Sequence, residues 1–334
     1  MIVELLEKNH VLQNLHLEIT PYCNLACKHC YVSDRSSGKQ NGEVMSLDLV
    51  KWLIQEAKDL GALTVTLTGG EPLTHPNFCE ILHIAAECNI AVKVMTNGTL
   101  ITSQNIDLIK KRVNHLYLTQ YGCNKHDYER TVAKRGSYEK FEKAVKLLKK
   151  EGISFDVNYT MVASNCNHAG QIAQKFKTVE THISYQKDNP YSKKYQAPLN
   201  RLYEYYSSIE DRGPILYRKR RVCNICASSL VIKADGVAVP CPSFVYPLGN
   251  VHECSLETIW KSKKTQELRA MSNFENFYMC RNCEYREYSY NLCLANNFNE
   301  TGEMFCCSET TCRTCKVLYD ICEGANGKAI RNKT

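Results

Sequence analysis

Along the first half of the chain the hydrophobic positions alternate between two periods. Leu15-His16-Leu17-Glu18-Ile19 alternates apolar and polar residues, as a half-buried strand does. Ser46 can cap a helix whose positions Leu49, Val50, Leu53, Ile54, Ala57 and Leu60 recur at helical spacing until Gly61 stops it. Thr64–Leu67 reads as the next strand and ends in Gly69-Gly70. A helix around Cys79–Cys88, a strand Ala91–Met95 and the turn Asn97-Gly98 follow. A helix near Ile106–Lys111 leads to the strand His115–Thr119. Ser137 opens an amphipathic helix through Phe141, Ala144, Val145 and Leu148, and Gly152 ends it. Strands Phe155–Val162 and His182–Tyr185 complete the series. Strands separated by helices at roughly thirty-residue intervals predict an α/β fold with parallel pairing through right-handed crossovers. Six strands are too few for a closed eight-stranded barrel but suit a partial (β/α)6 barrel or a doubly wound sheet. Sites in such folds lie at the carboxyl ends of the strands.

Composition adds a second unit. Of 334 residues, 19 are cysteine, and twelve of these lie between Cys223 and Cys322. Three more cluster at Cys23, Cys27 and Cys30, and none lies between Cys166 and Cys223. The distribution divides the chain into a (β/α)6 body at 1–186, a tyrosine-rich helical bridge at 187–222 and a small cysteine-rich domain at 223–334. Charges in the first eight residues exclude a secretory signal, and no run of eighteen apolar residues offers a membrane span. A cytoplasmic chain is therefore expected, with cysteines serving metal or redox chemistry rather than a disulfide scaffold. A hydrophobic share of 44% excludes a disordered chain. The net charge of +7 includes the run Arg218-Lys219-Arg220-Arg221, a solvated face or a counter-charge to an anionic cluster or acidic peptide. Nothing else points to nucleic acid.

Cys23, Cys27 and Cys30 form a C-x3-C-x2-C loop directly after the first strand. Three thiolates can hold a [4Fe–4S] cube with one iron open, whereas structural zinc wants four ligands. This loop resembles the signature of the radical SAM superfamily. The resemblance implies that S-adenosylmethionine chelates the open iron and is cleaved reductively to a 5′-deoxyadenosyl radical. His29, before the third cysteine, inherits the place of an aromatic residue that packs on the adenine. Gly69, Gly70, Glu71 and Pro72 look like the family's GGEP motif, which holds the methionyl amino group. Thr96 and Asn97 follow the third strand, and Thr119 ends the fourth, where relatives contact methionine or ribose. Arg135 and Asn165 fall where relatives place further cofactor contacts. No catalytic acid or base is legible.

The tail resembles the SPASM extension of these enzymes, which carries two auxiliary [4Fe–4S] clusters. Gly236 supplies a hairpin turn that folds Cys241 back towards Cys223 and Cys226. Those three are expected at the first auxiliary cluster. Cys280, Cys283, Cys293 and either Cys306 or Cys307 are expected at the second. The first then lacks a fourth ligand, which Cys312, Cys315 or Cys322 supplies unless one iron stays open. Three C-x2-C pairs also permit zinc ribbons, with Cys312 and Cys315 the strongest case. Cys254 is not expected to be a ligand.

The resemblance implies an oxidative modification of a peptide or small protein, as in ribosomal peptide maturation that forms thioether or carbon–carbon crosslinks. It also implies an electron donor such as flavodoxin or ferredoxin. A thiol loop beginning at Cys23 leaves no room for an N-terminal leader-binding domain, so a separate leader-peptide-binding protein is one expectation. Two enzyme alternatives are tetrapyrrole chemistry and sulfatase maturation. Pro242 weakens the second, because those relatives place an aspartate there. A zinc-binding interaction module is the non-enzyme alternative.

Overall fold

The structure, a computed structural model, describes residues 9–27, 29–30, 42–176, 179–182, 196–207, 223, 226–244, 246–289 and 292–323. The tyrosines Tyr191, Tyr195 and Tyr217 and the basic run Arg218–Arg221 lie outside the described residues. One nine-stranded sheet has the order β6-β5-β4-β3-β2-β1-β7-β8-β9. Its first strands are β1 (Asn14–Thr20), β2 (Thr64–Gly69) and β3 (Ala91–Thr96). They are followed by β4 (His115–Gln120), β5 (Asp156–Thr160) and β6 (Val179–His182). All six pair in parallel with their sequence neighbours. This monotonic order is that of a barrel wall, not of a doubly wound sheet, and the wall does not close. Between the strands run α1 (Leu47–Asp59), α2 (Phe78–Glu87), α3 (Ile106–Arg112), α4 (Lys125–Val132), α5 (Ser137–Lys150) and α6 (Ala169–Lys175).

Register sorts the sheet into two faces of opposite chemistry. Leu15, Leu17, Val65, Leu67, Val92, Val94, Leu116, Leu118 and Val157 lie on one face, in one core with the helices' buried residues. The other face carries Asn14, His16 and Glu18 of β1, Thr64, Thr66 and Thr68 of β2, and Lys93 of β3. It continues through His115, Tyr117 and Thr119 of β4 to Asp156 and Asn158 of β5. Hydrogen bonds knit it laterally: Thr64 and Thr66 donate to Asn14 Oδ1 at 2.7 and 3.1 Å, and His115 Nε2 lies 2.8 Å from Asp156 Oδ2. A polar face opposite the helix layer is what a barrel wall presents to a polar substrate.

The cysteine-rich tail joins this same sheet. β7 (Ser229–Ile232) pairs in parallel with β1, from Asn14↔Ser229 to Leu17↔Ile232. Gly236, at φ +81°, turns β7 into the antiparallel β8 (Val237–Val239), and β9 (Gly249–Asn250) completes the edge. The expected hairpin is present, but it continues the body sheet. Beyond it come α8 (Leu256–Trp260), α9 (Lys263–Met271), α10 (Leu294–Thr301) and α11 (Glu309–Glu323). Trp260 Nε1 donates to the His10 carbonyl at 2.7 Å, and Leu256 N–H to Glu56 of α1 at 3.1 Å. In the bridge, α7 (Leu199–Ser207) packs on α11, where the Tyr203 hydroxyl donates to Asp320. Among the described residues no helix is long and apolar enough to cross a membrane.

Candidate active site

β1 delivers the thiol loop at its carboxyl end. Cys27 is buried, and Cys23 and Cys30 are half-buried. Three bonds set the loop's path: Ala26 N–H to the Val132 carbonyl at 3.0 Å, Leu25 N–H to Cys23 Sγ at 3.5 Å, and Cys30 N–H to the Cys27 carbonyl at 3.1 Å. A side-chain ring from the end of β3 braces it. Asn97 Nδ2 donates to Asn24 Oδ1 at 2.9 Å and lies 3.8 Å from Cys23 Sγ. Asn24 Nδ2 donates to the Thr99 hydroxyl at 2.7 Å, and that hydroxyl donates to Asn97 Oδ1 at 2.6 Å. Asn24 and Thr99 escape sequence reading because the ring closes through space across seventy-five positions.

The Gly69-Gly70-Glu71-Pro72 turn sits beside the loop. Gly69 has φ +132°, and a Cβ there would meet the Thr20 carbonyl oxygen at 2.4 Å. Only glycine lets the two backbones approach this closely. Gly70 N–H donates to that oxygen at 2.7 Å, and Glu71 N–H to the Tyr22 carbonyl at 2.8 Å. The Glu71 carboxylate is fully buried. It accepts from the Thr96 hydroxyl at 2.6 Å, Asn97 N–H at 2.7 Å and Leu73 N–H at 3.2 Å. Glu71 and Thr96 thus fasten the turn to β3.

An aromatic pair joins the thiol loop to the segment after β4. The His29 and Tyr121 rings are 5.8 Å apart, and burial holds His29 down at about 4, so the imidazole is neutral. Burial and then the thiols of Cys27 and Cys23 push the Tyr121 phenol well up. Thr119 is half-buried on the polar face, in register with Asn158. Asn165 and Arg135 depart from their expected role. Asn165 Oδ1 accepts from Val162 N–H at 2.8 Å and the Tyr159 hydroxyl at 3.0 Å. Its Nδ2 donates to the Tyr121 and Thr160 carbonyls at 3.0 and 2.9 Å. That uses the whole capacity of an amide, so Asn165 positions Tyr121 and has nothing left for a ligand. Arg135 is exposed beyond the end of α4.

The tail thiols fall into two groups. Burial raises the Cys241 thiol, followed by its neighbours Cys293, Cys223 and Cys226. Cys226, fully buried at φ +52°, is raised to about 12 by burial and offset by the buried Arg269, whose Nε donates to the Cys226 carbonyl. In the second group Cys307 bonds to Cys280 and Cys312, the latter with sulfurs 2.9 Å apart. Hydrogen bonding with Cys307 draws Cys312 down to about 7 and also lowers Cys280. Cys283 and the buried Cys315 stand in the same electrostatic neighbourhood. Cys306 turns away, with Sγ 3.7 Å from Met279 Sδ, and Cys322 packs on the core from the last turn of α11. Cys254 donates to the Asn250 carbonyl.

The grouping corrects the expected position of Cys293, which stands against Cys241 and not with Cys280 and Cys283. Cys293 is the N-cap of α10. That helix docks on the segment after Cys241, through Phe298 against Phe244 at 5.5 Å and Asn299 Nδ2 to the Ser243 carbonyl at 2.8 Å. The first group therefore has its fourth thiol.

Residues 17–164 match the model of the radical SAM superfamily, and residues 223–284 match SPASM, an iron–sulfur cluster-binding domain. The chain is a radical SAM enzyme with a SPASM domain. It is 31% identical over 273 residues to the antilisterial bacteriocin subtilosin biosynthesis protein AlbA of Bacillus subtilis, covering 75% of this chain and 60% of AlbA. It is 24% identical over 326 residues to the AdoMet-dependent heme synthase of Methanosarcina barkeri, covering 86% of this chain and 92% of that protein. The PqqA peptide cyclase of Granulibacter bethesdensis is 24% identical over 318 residues, with 86% and 83% covered. The solved structure of anSMEcpe with bound AdoMet superposes with a TM-score of 0.71 at 17% identity, over 96% of this chain and 95% of that one. Streptococcus suis SuiB bound to S-adenosylmethionine gives 0.66 at 17% identity, over 92% and 80%. Both show a shared fold.

A radical SAM domain binds a [4Fe–4S] cluster and S-adenosylmethionine, and the residues here fit them. The loop offers three thiols and no fourth, beside a neutral aromatic pair and a glycine turn that admits close backbone approach. The SPASM domain binds auxiliary clusters. Among the described residues no three tail thiols lie within 4.8 Å of one another, whereas four donors on zinc must crowd within about 4 Å.

Proposed function

We propose that this enzyme oxidatively modifies a side chain of a peptide or small protein, in the class of ribosomal peptide maturation, by forming a thioether, carbon–carbon or related crosslink. The observation that carries the reading is that the tail thiols gather in two groups, each large enough to hold a cluster: Cys223, Cys226, Cys241 and Cys293 in one, and Cys280, Cys283, Cys307, Cys312 and Cys315 in the other. Four thiols satisfy a cluster without help from substrate, which suits the storage and passage of electrons rather than substrate ligation. Cys23, Cys27 and Cys30 would hold the SAM-cleaving cluster. His29, Gly69, Gly70, Thr96, Asn97 and Thr119 would frame S-adenosylmethionine, with Glu71 and Asn165 holding that frame. When bound, these groups supply a hydrogen-abstracting radical and a sink for the electron that oxidation leaves behind.

The polar face would receive the substrate. Its charged groups are mixed: Lys93 stands with the carboxylates of Glu18 and Asp156. That suits a peptide better than a tetrapyrrole with several carboxylates, which calls for a basic surface. The heme synthase likeness, which spans nearly the whole of both proteins, keeps tetrapyrrole chemistry as the second reading. The body, the bridge and the tail would act as one unit, supplied by an external electron donor and, for a leader-bearing peptide, a separate binding protein.

Anaerobic co-expression with a candidate short peptide from a neighbouring reading frame, followed by mass spectrometry, tests the proposal. A loss of two hydrogens per crosslink is expected, and an unmodified peptide together with turnover of a tetrapyrrole overturns it. Cys27→Ala should abolish formation of methionine and 5′-deoxyadenosine. Cys280→Ala should keep uncoupled cleavage and lose product.

A further inference from the structure

Cys123, Asp127 and His168 lie outside the cluster sites, yet their donor atoms all stand within 4.8 Å of one another. Three separate stretches bring them there. Cys123 ends the loop after β4, Asp127 lies in the first turn of α4, and His168 precedes α6. We propose that they form a mononuclear site for a borderline divalent cation of the zinc class, pinning the rim beside the S-adenosylmethionine pocket.

The donor chemistry is a thiol, a carboxylate and an imidazole, the mixture that suits zinc and leaves one position for a further ligand. Gln171 offers that ligand, since its Oε1 accepts from Cys123 Sγ at 3.4 Å. His168 Nδ1 and Asp127 Oδ2 are 2.7 Å apart and share a proton where a cation would stand. Outer groups already aim the donors. Asn124 Oδ1 caps α4 by accepting Asp127 N–H at 2.9 Å, which fixes the amide so that Nδ2 faces the cluster. From there it donates to Asp127 Oδ2 at 3.1 Å and approaches Cys123 Sγ at 3.7 Å. Arg130 and His126 approach only the other carboxylate oxygen, Oδ1, at 3.4 and 3.3 Å. Such partners are what orient metal ligands. Capping explains Asn124 and its bond to Asp127, but not the thiol and imidazole that converge on the same carboxylate.

The place explains the use. Cys123 follows Tyr121 and Gly122, and the Tyr138 hydroxyl donates to its carbonyl at 3.2 Å. Asn165, which holds the Tyr121 carbonyl, is three residues before His168. A cation here ties together the two loops that hold Tyr121 against His29 of the thiol loop.

The test uses anaerobic holoenzyme with its clusters assembled, supplied with an equivalent of zinc and desalted. Wild type should retain about one zinc per chain more than either Cys123→Ser or His168→Leu, at equal iron content. Zinc-edge X-ray absorption should show one sulfur among nitrogen and oxygen neighbours. Zinc should also raise the melting temperature of wild type and of neither variant. Equal zinc retention by wild type and the His168→Leu variant, or a four-sulfur zinc environment, overturns the proposal. A Cys123→Ser protein that fails to fold leaves the His168→Leu comparison to decide.

Discussion

Two buried side chains set testable limits on the body. Asn165 spends all four hydrogen-bonding positions of its amide on Tyr159, Val162, Tyr121 and Thr160. Asn165→Ala strands at least two buried partners and should cost about 2–4 kcal/mol, read as a lowered urea midpoint, together with weaker S-adenosylmethionine binding as Tyr121 loosens. His16 faces Lys93 on the polar side of the sheet, and burial, then Lys93, hold it down at about 4 against an ordinary 6.5. Asn14 Oδ1 accepts from two threonines, so its Nδ2 donates to His16 Nε2 and the ring's proton lies on Nδ1, where it has no partner among the described residues. Below 6.5 the unfolded chain binds a proton that the folded chain refuses until about 4. The stability is therefore complete above 6.5 and lost as the pH falls, by about 2 kcal/mol at pH 5. Urea midpoints at pH 8 and pH 5 should differ more for wild type than for His16→Gln. At this scale the sequence displayed its thiols plainly, because chemistry fixes their spacing. It did not display Asn24 and Thr99, whose partners are distant along the chain.

At the scale of elements, periodicity located the body's strands and most of its helices to within a few residues. It failed at α4, where only Tyr128 and Val132 supply buried apolar side chains and the other buried residues are Asp127 and Thr131. The last strand, expected at His182–Tyr185, is Val179–His182, because its place is set by pairing with β5. The tail helices α10 and α11 were missed for a related reason: Asn296, Asn297 and Asn299 occupy much of the inner face of one, and Thr310, Thr311, Thr314 and Cys315 much of the other's. α10 matters most, since it carries Cys293 at its N-cap to the first thiol group. That grouping predicts which variants behave alike. Cys293→Ala should lose the iron and the electron paramagnetic resonance signal that Cys241→Ala loses, and Cys312→Ala should match Cys307→Ala. A Cys293→Ala protein that loses the signal of the Cys280 set would refute the assignment.

For the whole molecule, composition drew a boundary at residue 223 that the sheet crosses. Cysteine content reports where metal chemistry lies, but strand pairing follows backbone geometry, so the two need not coincide. A chain ended at residue 222 would bare the edge of β1 and uncover Trp260's contact at His10. It should aggregate, with a dispersed monomer in light scattering as the contrary result. The β1–β7 ladder also bears on the order of events during synthesis. β1 is among the first strands to leave the ribosome, yet one of its two neighbours is made more than two hundred residues later. Until then the strand that presents Cys23, Cys27 and Cys30 is held from one side only, and such distant parallel pairings form slowly. The nascent chain thus passes through a long interval in which its most oxidisable loop is poorly supported, so translation must run past β7 before the first cofactor site is firm.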